Sequence, residues 1–432
     1  MSPVERRVLV VGQGGREHAL ADVIHASAEH PRVYVAPGSP GMQGVAQRVL
    51  IQSTDVQGIT AWTKQNSIDL VVIGPEVPLS LGLADALRAS AVDVIGPGQD
   101  AARLETSKRF AKDFLRELHL PTAAYRVAED PENAERFVAG AAYPQVLKAD
   151  GLAAGKGVVI AKTEDEARAT IDLWMRQDAL GEAGRALVIE EHLEGEEASL
   201  MLLTDGERWM LFPAARDHKR LGDGDTGPNT GGMGTCAPAR IPEPGEAKAI
   251  ASRIVDPILR ALRDRGTPYR GFLYLGLMLT AQGPMVLEIN ARFGDPEAQV
   301  LLPILDEDLL PLLRVAARGE LPAERHGTFF AHGGAAVCVV LAAHGYPGKP
   351  RTGDSIQGLD GPWPHGIRVY HAGVDRRGAK WITNGGRVLG VTARSETLEM
   401  ARTAAYHAVE RIRFDGMQYR RDIALSPQPS GA

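Results

Sequence analysis

A chain of 432 residues is too long for one ordinary hydrophobic core, so roughly two to four packed units are expected. A hydrophobic content of 44% with 24% charged residues is that of a folded globular protein, and the formal net charge of −6 argues against nucleic acid or an anionic membrane as partner, since both draw on clustered excess Lys and Arg. Cys236 and Cys338 are too few and too far apart for a disulfide framework or a thiolate zinc site; the first residues hold no signal-peptide apolar stretch, and no run approaches the roughly 18 apolar residues of a membrane span, so a cytoplasmic enzyme or binding protein is expected.

In chain order, residues 8–11, 33–35, 69–73 and 92–95 are short β-rich runs, each followed by Gly or Pro and separated by helix-length segments. That punctuation predicts a parallel sheet covered by helices, with ligands at the carboxyl ends of the strands. Leu104, Phe110, Ala111, Phe114, Leu115 and Leu118 recur at helical spacing and Pro121 stops them, predicting one linking helix. Residues 145–149 and 157–161 are strand-like runs around a glycine-containing loop, the start of a small β-containing domain that closes near residues 186–191. Residues 271–280 and 285–289 are strands of a second sheet. The last part, from about Phe329, has an apolar run at 335–341, a turn at Asn384-Gly385-Gly386 and a helix-like stretch at 396–412, an α+β cap with a disordered tail at 426–432.

Five motifs carry chemistry. The loop from Gly12 to Ala19 follows a strand and opens a helix, so its N–H groups can face an anion; Glu17 stands where a dinucleotide fingerprint needs a small residue, and a purely structural turn is the alternative. The run from Lys148 to Gly157 is no Walker A loop, because only three residues separate Gly151 from Gly155, Gly157 follows Lys156 and strands flank both sides. It reads as a hairpin that folds onto phosphates as a lid, or as an exposed turn with a solvated lysine. The acidic stretch 188–199 is a solvated turn, or a hinge in which backbone near Glu191 and Leu193 meets adenine and Glu197 meets ribose. Residues 217–234 form a polar, glycine-rich loop whose donors and cations favour an active-site cover over a linker. Strand alternation sends Glu288 and Asn290 to one face, where two oxygens suit Mg²⁺, with Arg292 following; a polar surface strand is the alternative.

In this order the motifs resemble the glycinamide ribonucleotide synthetase (phosphoribosylamine–glycine ligase) family of the ATP-grasp superfamily, over residues 8–423. The resemblance rests on Gly74-Pro75-Glu76, Leu104-Glu105-x-Ser107-Lys108, the 148–157 and 226–234 runs, Arg292-Phe293-Gly294-Asp295-Pro296-Glu297 and Thr383-Asn384-Gly385-Gly386-Arg387. It implies a multidomain α/β and α+β fold: a Rossmann-like N-terminal domain (1–103), a linking helix (104–121) belonging to the central domain, an ATP-grasp lid (122–192), a central ATP-grasp domain (193–328) and a C-terminal α+β cap (329–425). It implies ligation of glycine to 5-phosphoribosylamine with ATP and Mg²⁺ or Mn²⁺, through a glycyl phosphate, by a monomer.

Carried onto this chain, the resemblance assigns Lys108, Lys148, Gly151, Gly155, Lys156 and Gly157 to ATP phosphates, Glu190, Glu191, Leu193 and Glu197 to the nucleoside, and Glu288 with Asn290 to the metal. Arg292, Lys219 and Asp217 would be catalytic. Gly12, Gly14, Gly15, Pro37, Gly38, Gly74, Pro75 and Glu76, and on the glycine side Asp217, Thr230, Gly231, Gly232 and Asp295, would bind substrate. Two departures stand out: Ser39 replaces the family's usual Asn, and residues 271–276 offer no acid for a second metal. The other ATP-grasp ligases, carboxyaminoimidazole ribonucleotide synthetase and biotin carboxylase, lack the 226–234 run, and a catalytically dead relative could lose Glu288, Asn290 or Arg292, all present here.

Overall fold

The first four β-rich runs lie in one parallel sheet whose order is Gln47–Arg48, Arg32–Pro37, Arg7–Gly12, Leu70–Ile73, Asp93–Ile95. Strand Arg7–Gly12 pairs with both Arg32–Pro37 and Leu70–Ile73, so the order of strands reverses beside it and opens a crevice at its carboxyl end. Period-2 alternation sends Leu9 and Val11 into one apolar core and Val8 and Val10 into another. A computed structural model of the chain describes residues 5–153, 157–239 and 243–425; Gly155, Lys156 and the tail 426–432 lie outside the described residues. Among the described residues no helix is long and apolar enough to cross a membrane.

Both cores continue into a second, mostly antiparallel sheet ordered Gly283–Asn290, Gly271–Thr280, Glu196–Thr204, Trp209–Leu211, Thr328–Phe329. Leu200 and Leu202 join the core of Leu9, while Met201 and Leu203 join that of Val8. Strand Glu196–Thr204 and the 21-residue helix Pro244–Asp264, which buries Ile250, Ile254, Ile258 and Leu262 against the first core, were not anticipated.

The linking segment is two helices, Gln99–Thr106 and Lys108–Glu117, rather than one. Ser107 takes an extended conformation (φ −134°, ψ 113°), and its hydroxyl accepts the Phe110 N–H at 3.0 Å while donating to Asp150 Oδ1 at 2.9 Å. A serine oxygen competing for a backbone donor caps a new helix instead of continuing the old one, against an apolar periodicity that ran straight through. The break makes Lys108 the first residue of the second helix.

The lid is the antiparallel sheet Tyr125–Ala128, Leu187–Glu191, Gln145–Ala149, Val158–Ala161, with its own small core around Leu147, Trp174 and Leu187. Since among the described residues no apolar core joins it to the body, polar pins do. Glu190, 2% exposed, lies 2.9 Å from both Lys112 Nζ and Lys148 Nζ. Lys148 also donates to the Leu287 carbonyl (3.0 Å), and Lys112 to the Thr122 hydroxyl (2.7 Å). Burial pulls the Lys112 ammonium down to about 8, with Glu190 opposing and Lys148 reinforcing the fall.

The C-terminal sheet is ordered Arg216–Asp217, Gly234–Ala237, Ala335–Ala342, Arg387–Ser395, Ile367–His371. Strand Ala335–Ala342 is buried throughout and pairs on one flank with Gly234–Ala237, on the other with Arg387–Ser395. The expectation of an irregular loop at 217–234 is thereby corrected: its ends are strands of the C-terminal sheet, and between them Arg220–Gly222 pairs with Thr226–Asn229 as a hairpin. Glycine density and charge hid these strands.

Two outcomes follow from these pins. Ser107→Ala removes a cap and should cost about 1 kcal/mol, and a double-mutant cycle with Asp150→Ala, read by urea unfolding, should show the two effects to be non-additive. For Lys112 the folded group titrates near 8 and the unfolded near 10.5, so between those values the unfolded chain binds more protons and stability rises with pH. The slope is at most about 1.4 kcal/mol per pH unit. Lys112→Met should flatten that rise in melting temperature between pH 8 and 10; parallel curves for parent and variant would contradict the burial argument.

Candidate functional site

A cleft of about 970 Å³ lies between the lid, the face of strand Gly283–Asn290 and the 216–234 ladder. A second cavity of about 330 Å³ opens between the N-terminal sheet and the C-terminal domain. Asp295 and Arg387 line both, and an Arg387 Nη2–Asp295 Oδ2 contact of 3.3 Å forms the wall between them.

On the lid side Lys108, Lys148, Gly151, Gly157, Glu190, Glu191, Leu193 and Glu197 all line the large cleft. One of them, Glu190, is occupied otherwise. The Glu190 carboxylate is taken up by Lys112 and Lys148, whereas Glu191 uses Oε1 to accept the Ala124 N–H (2.8 Å) and lies exposed at the cleft. The backbone near Glu191 and Leu193 and the half-exposed Glu197 carboxylate also face the cleft. Lys112 was missed, because in the sequence it is one of two lysines and two arginines on a charged helix.

Glu288 and Asn290 share a face, with the Asn290 amide donating to Glu288 Oε1 at 3.3 Å. Lys219 Nζ reaches the same oxygen at 3.5 Å, and each group stabilises the other's charge: Lys219 holds Glu288 well below the usual carboxylate range, and Glu288 raises Lys219. Among the described residues no three His, Cys, Asp or Glu are grouped to hold a metal alone. One carboxylate and one amide oxygen fit an ion that completes its shell with phosphate and water, the habit of Mg²⁺. Gly276 pairs directly opposite Glu288, and a Cβ there would stand 2.8 Å from Glu288 Cγ, so a side chain at position 276 would push Glu288 aside.

Arg292 gathers three of the motifs. Its Nη2 lies 3.0 Å from Glu105 and its Nε 3.5 Å from Glu76, while Nη1 donates to the Phe293 carbonyl at 3.1 Å. Glu105 in turn accepts the Ala291 N–H at 2.7 Å. Burial raises Glu105 despite Arg292, whereas Arg292 and Arg16 overcome burial and lower Glu76.

Asp217 and Glu297 differ from these paired groups. Glu297 is 3% exposed, and Asp217 Oδ1 is buried without a hydrogen-bond partner. Burial and mutual repulsion raise Asp217 well above the carboxylate range; burial likewise raises Glu297. Their nearest cations are committed, Lys219 to Glu288 and Arg387 to Asp295 and the Gly231 carbonyl. Thr230 folds the loop under them, its hydroxyl and N–H both donating to the Lys219 carbonyl at 2.8 Å. Gly232 holds φ +111°, and a Cβ there would meet Pro296 Cδ at 2.4 Å and Asp217 Oδ1 at 2.7 Å. Glu297 was passed over, because in the sequence it ends a run whose arginine drew attention.

The glycine-rich N-terminal loop departs from its expected role in part. The Gly14 N–H is donated to Glu17 Oε2 at 2.6 Å, so Glu17 braces the loop from inside rather than leaving that donor for an anion. Gly12 and Gly74 pack against the same carboxylate, and a Cβ on Gly74 would lie 2.1 Å from Glu17 Oε1. Gly14, Gly15, Gly38 and Ser39 line the smaller cavity, Pro75 and Glu76 the larger cleft, and the Pro37 carbonyl accepts from Arg48 Nε at 3.2 Å. Arg48, Asp375 and Asn384 complete the smaller cavity; Arg48 and Asp375 lie in stretches with no motif, where sequence offered no signal.

Family profiles described as phosphoribosylglycinamide synthetase match in three consecutive parts: the N domain at residues 6–105, the ATP-grasp (A) domain at 106–298 and the C domain at 336–426. The chain is 46% identical over 416 residues to a phosphoribosylamine–glycine ligase of Mesorhizobium japonicum, covering 96% of this chain and 97% of the relative. It is 48% identical over 417 residues to one of Caulobacter vibrioides, with the same coverage. A crystal structure of phosphoribosylamine–glycine ligase from Thermotoga maritima superposes with a TM-score of 0.82 at 35% identity, covering 97% of this chain and all of that one. The biotin carboxylase domain of a Hydrogenobacter thermophilus 2-oxoglutarate carboxylase, solved with MgADP and bicarbonate, shares the fold at a TM-score of 0.73 and 18% identity, over 96% and 91% of the two chains. With three domain profiles in order and relatives matching nearly end to end, the chain belongs to the phosphoribosylglycinamide synthetase family of ATP-grasp enzymes, whose ATP-dependent ligation forms glycinamide ribonucleotide in purine synthesis.

Proposed function

We propose that the large cleft binds ATP and glycine, phosphorylates the glycine carboxylate, and presents the acyl phosphate to the amine of 5-phosphoribosylamine held in the smaller cavity. The observation that carries this reading is the Asp217/Glu297 pair, two acids that have no cation within salt-bridge reach among the described residues, Asp217 Oδ1 being buried without a hydrogen-bond partner. An α-amino acid supplies an ammonium group for that pair and a carboxylate that extends toward Lys219 and Arg292. Buried charge of this kind is costly until it is matched, which makes the pair selective for a cationic head.

Lys108, Lys148 and the glycines of the lid hairpin hold the ATP phosphates, and closure of the lid excludes water. A divalent ion at Glu288 and Asn290, Mg²⁺ or Mn²⁺, would neutralise phosphate charge. Arg292, aimed by Glu105 and Glu76, stabilises the phosphoryl group in transit, and a carboxylate oxygen of glycine forms the new P–O bond as ADP departs. The amine then attacks the acyl carbon across the Asp295–Arg387 wall, the C–O bond to phosphate breaks, and the nitrogen loses a proton. Asp295, held below the usual carboxylate range by Arg387 and Arg16 although burial opposes them, keeps its charge facing that amine.

The direct test is ADP release in the presence of Mg²⁺, glycine and phosphoribosylamine generated in situ, with one component left out at a time; ADP formation indifferent to glycine would sink the reading. Asp217→Asn and Glu297→Gln should each raise the KM for glycine about ten- to hundredfold, the worth of a charge-assisted hydrogen bond of about 1.5–3 kcal/mol. Because the pair holds its proton above the usual carboxylate range, glycine must displace it, so the KM for glycine should fall as pH rises through the pair's titration; a flat profile contradicts the assignment. Arg292→Lys keeps a charge and loses the fork, so kcat should drop about a hundredfold. With Glu105 buried beside it the melting temperature should drop too, and undiminished turnover would remove Arg292 from the mechanism.

A further inference from the structure

Hairpin Arg220–Gly222/Thr226–Asn229 stands over the proposed glycine site, since Asp217 and Lys219 precede it, Thr230 and Gly232 follow it, and Arg220, Asp225 and Asn229 line the cleft. It has only two paired registers, Arg220 with Asn229 and Gly222 with Thr226, and shares its sheet with no other strand. Two strands this short do not hold a conformation unaided. Its tip, which takes positive φ at Gly224 (+66°) and Asp225 (+54°), is instead tied to a segment about two hundred residues further on.

The tie is a clasp of charge. Arg420, 1% exposed, sets its Nη1 2.6 Å from Asp225 Oδ1 and donates to the Arg220 carbonyl at 3.2 Å. The remaining edge of the guanidinium forms a two-point pair with Asp422, at 2.7 Å from Nε and 2.6 Å from Nη2. Asp422 accepts the Gly224 N–H at 2.8 Å, and Asp223 of the tip accepts the Arg421 N–H at 2.7 Å. The strap itself is fixed: Ile423 is fully buried in the C-terminal core, the Tyr406 hydroxyl donates to the Arg420 carbonyl (2.8 Å), and Arg402 donates to the carbonyls of Arg421 (2.7 Å) and Ile423 (3.0 Å).

We propose that Arg420 is a positioning residue for the ligation: through Asp225 and Asp422 it holds the 220–229 hairpin closed over the acyl phosphate, and so keeps water from the mixed anhydride until the amine arrives. This rests on the acyl-phosphate reading above. An acyl phosphate left open to solvent is attacked by water at the same carbon, giving back glycine and phosphate, so a loosened hairpin spends ATP without making amide. The C-terminal segment thus acts on coupling rather than on the chemical groups, none of which it touches.

The experiment compares the parent with Arg420→Met and Asp225→Asn, measuring ADP released and amide formed in the same reaction, and glycine-dependent ADP release with the amine omitted. Both variants should release several-fold more ADP per amide than the parent, and trypsin should cut after Arg220 faster in both. Asp225→Asn changes an exposed carboxylate on the hairpin and leaves the strap's own anchors untouched, so it reports even if Arg420→Met folds poorly. Melting curves and ATP affinity serve as the control that a merely structural defect would move. ADP-to-amide ratios equal to the parent's in a folded Asp225→Asn protein would overturn the positioning role alone. A parent that shows no glycine-dependent ADP release with or without the amine would overturn the acyl-phosphate reading and this proposal with it.

Discussion

A carboxylate taken out of water needs a cation or several donors, and the large cleft is built around that requirement. Glu190 sits between Lys112 and Lys148, Glu105 against Arg292, Glu288 beside Lys219, and Asp295 against Arg387. Each pair joins parts of the chain far apart in sequence, so the same contacts that satisfy the charges also hold the lid, the linking helices, the central strands and the C-terminal domain in register around the cleft. Asp217 and Glu297 stand outside this scheme, with no ion pair of their own among the described residues.

Apolar packing divides the molecule differently from the charges. The N-terminal sheet and the central sheet are fused through two shared cores, one on each face, whereas the lid keeps a separate small core and meets the body through polar contacts. Hydrogen bonds and ion pairs can be exchanged for contacts to a ligand at modest net cost, while an interdigitated core cannot be opened without losing its burial. The fused cores therefore make the N-terminal and central sheets one body, to which the lid is joined by exchangeable polar contacts.

Glycines in the site serve closeness more often than flexibility. Gly276 makes room for the Glu288 side chain, and Gly12 and Gly74 make room for Glu17, which takes the Gly14 N–H that a phosphate loop would have left open. The loop is a braced turn on its inner side, and Gly14 and Gly15 still line the smaller cavity together with Gly38, Arg48 and Asp375.

Local pattern carried much of the architecture. Valine-rich runs, glycine punctuation and alternation determined the parallel N-terminal sheet, the lid hairpin's flanking strands and the shared face of Glu288 and Asn290, because each depends on neighbours within a few residues. The order of the motifs carried the family. Strand Glu196–Thr204, the helix break at Ser107 and the ladder within 216–237 escaped, since acidic or glycine-rich composition masks strands that only a distant partner stabilises, and a capping serine is silent until Asp150 arrives to accept its proton. Which acids are paired was likewise beyond the sequence. Lys112 with Glu190, Arg292 with Glu105 and Arg420 with Asp225 lie far apart along the chain, and a charge acquires its meaning from what the fold buries beside it, a matter of distance and desolvation that no local pattern encodes.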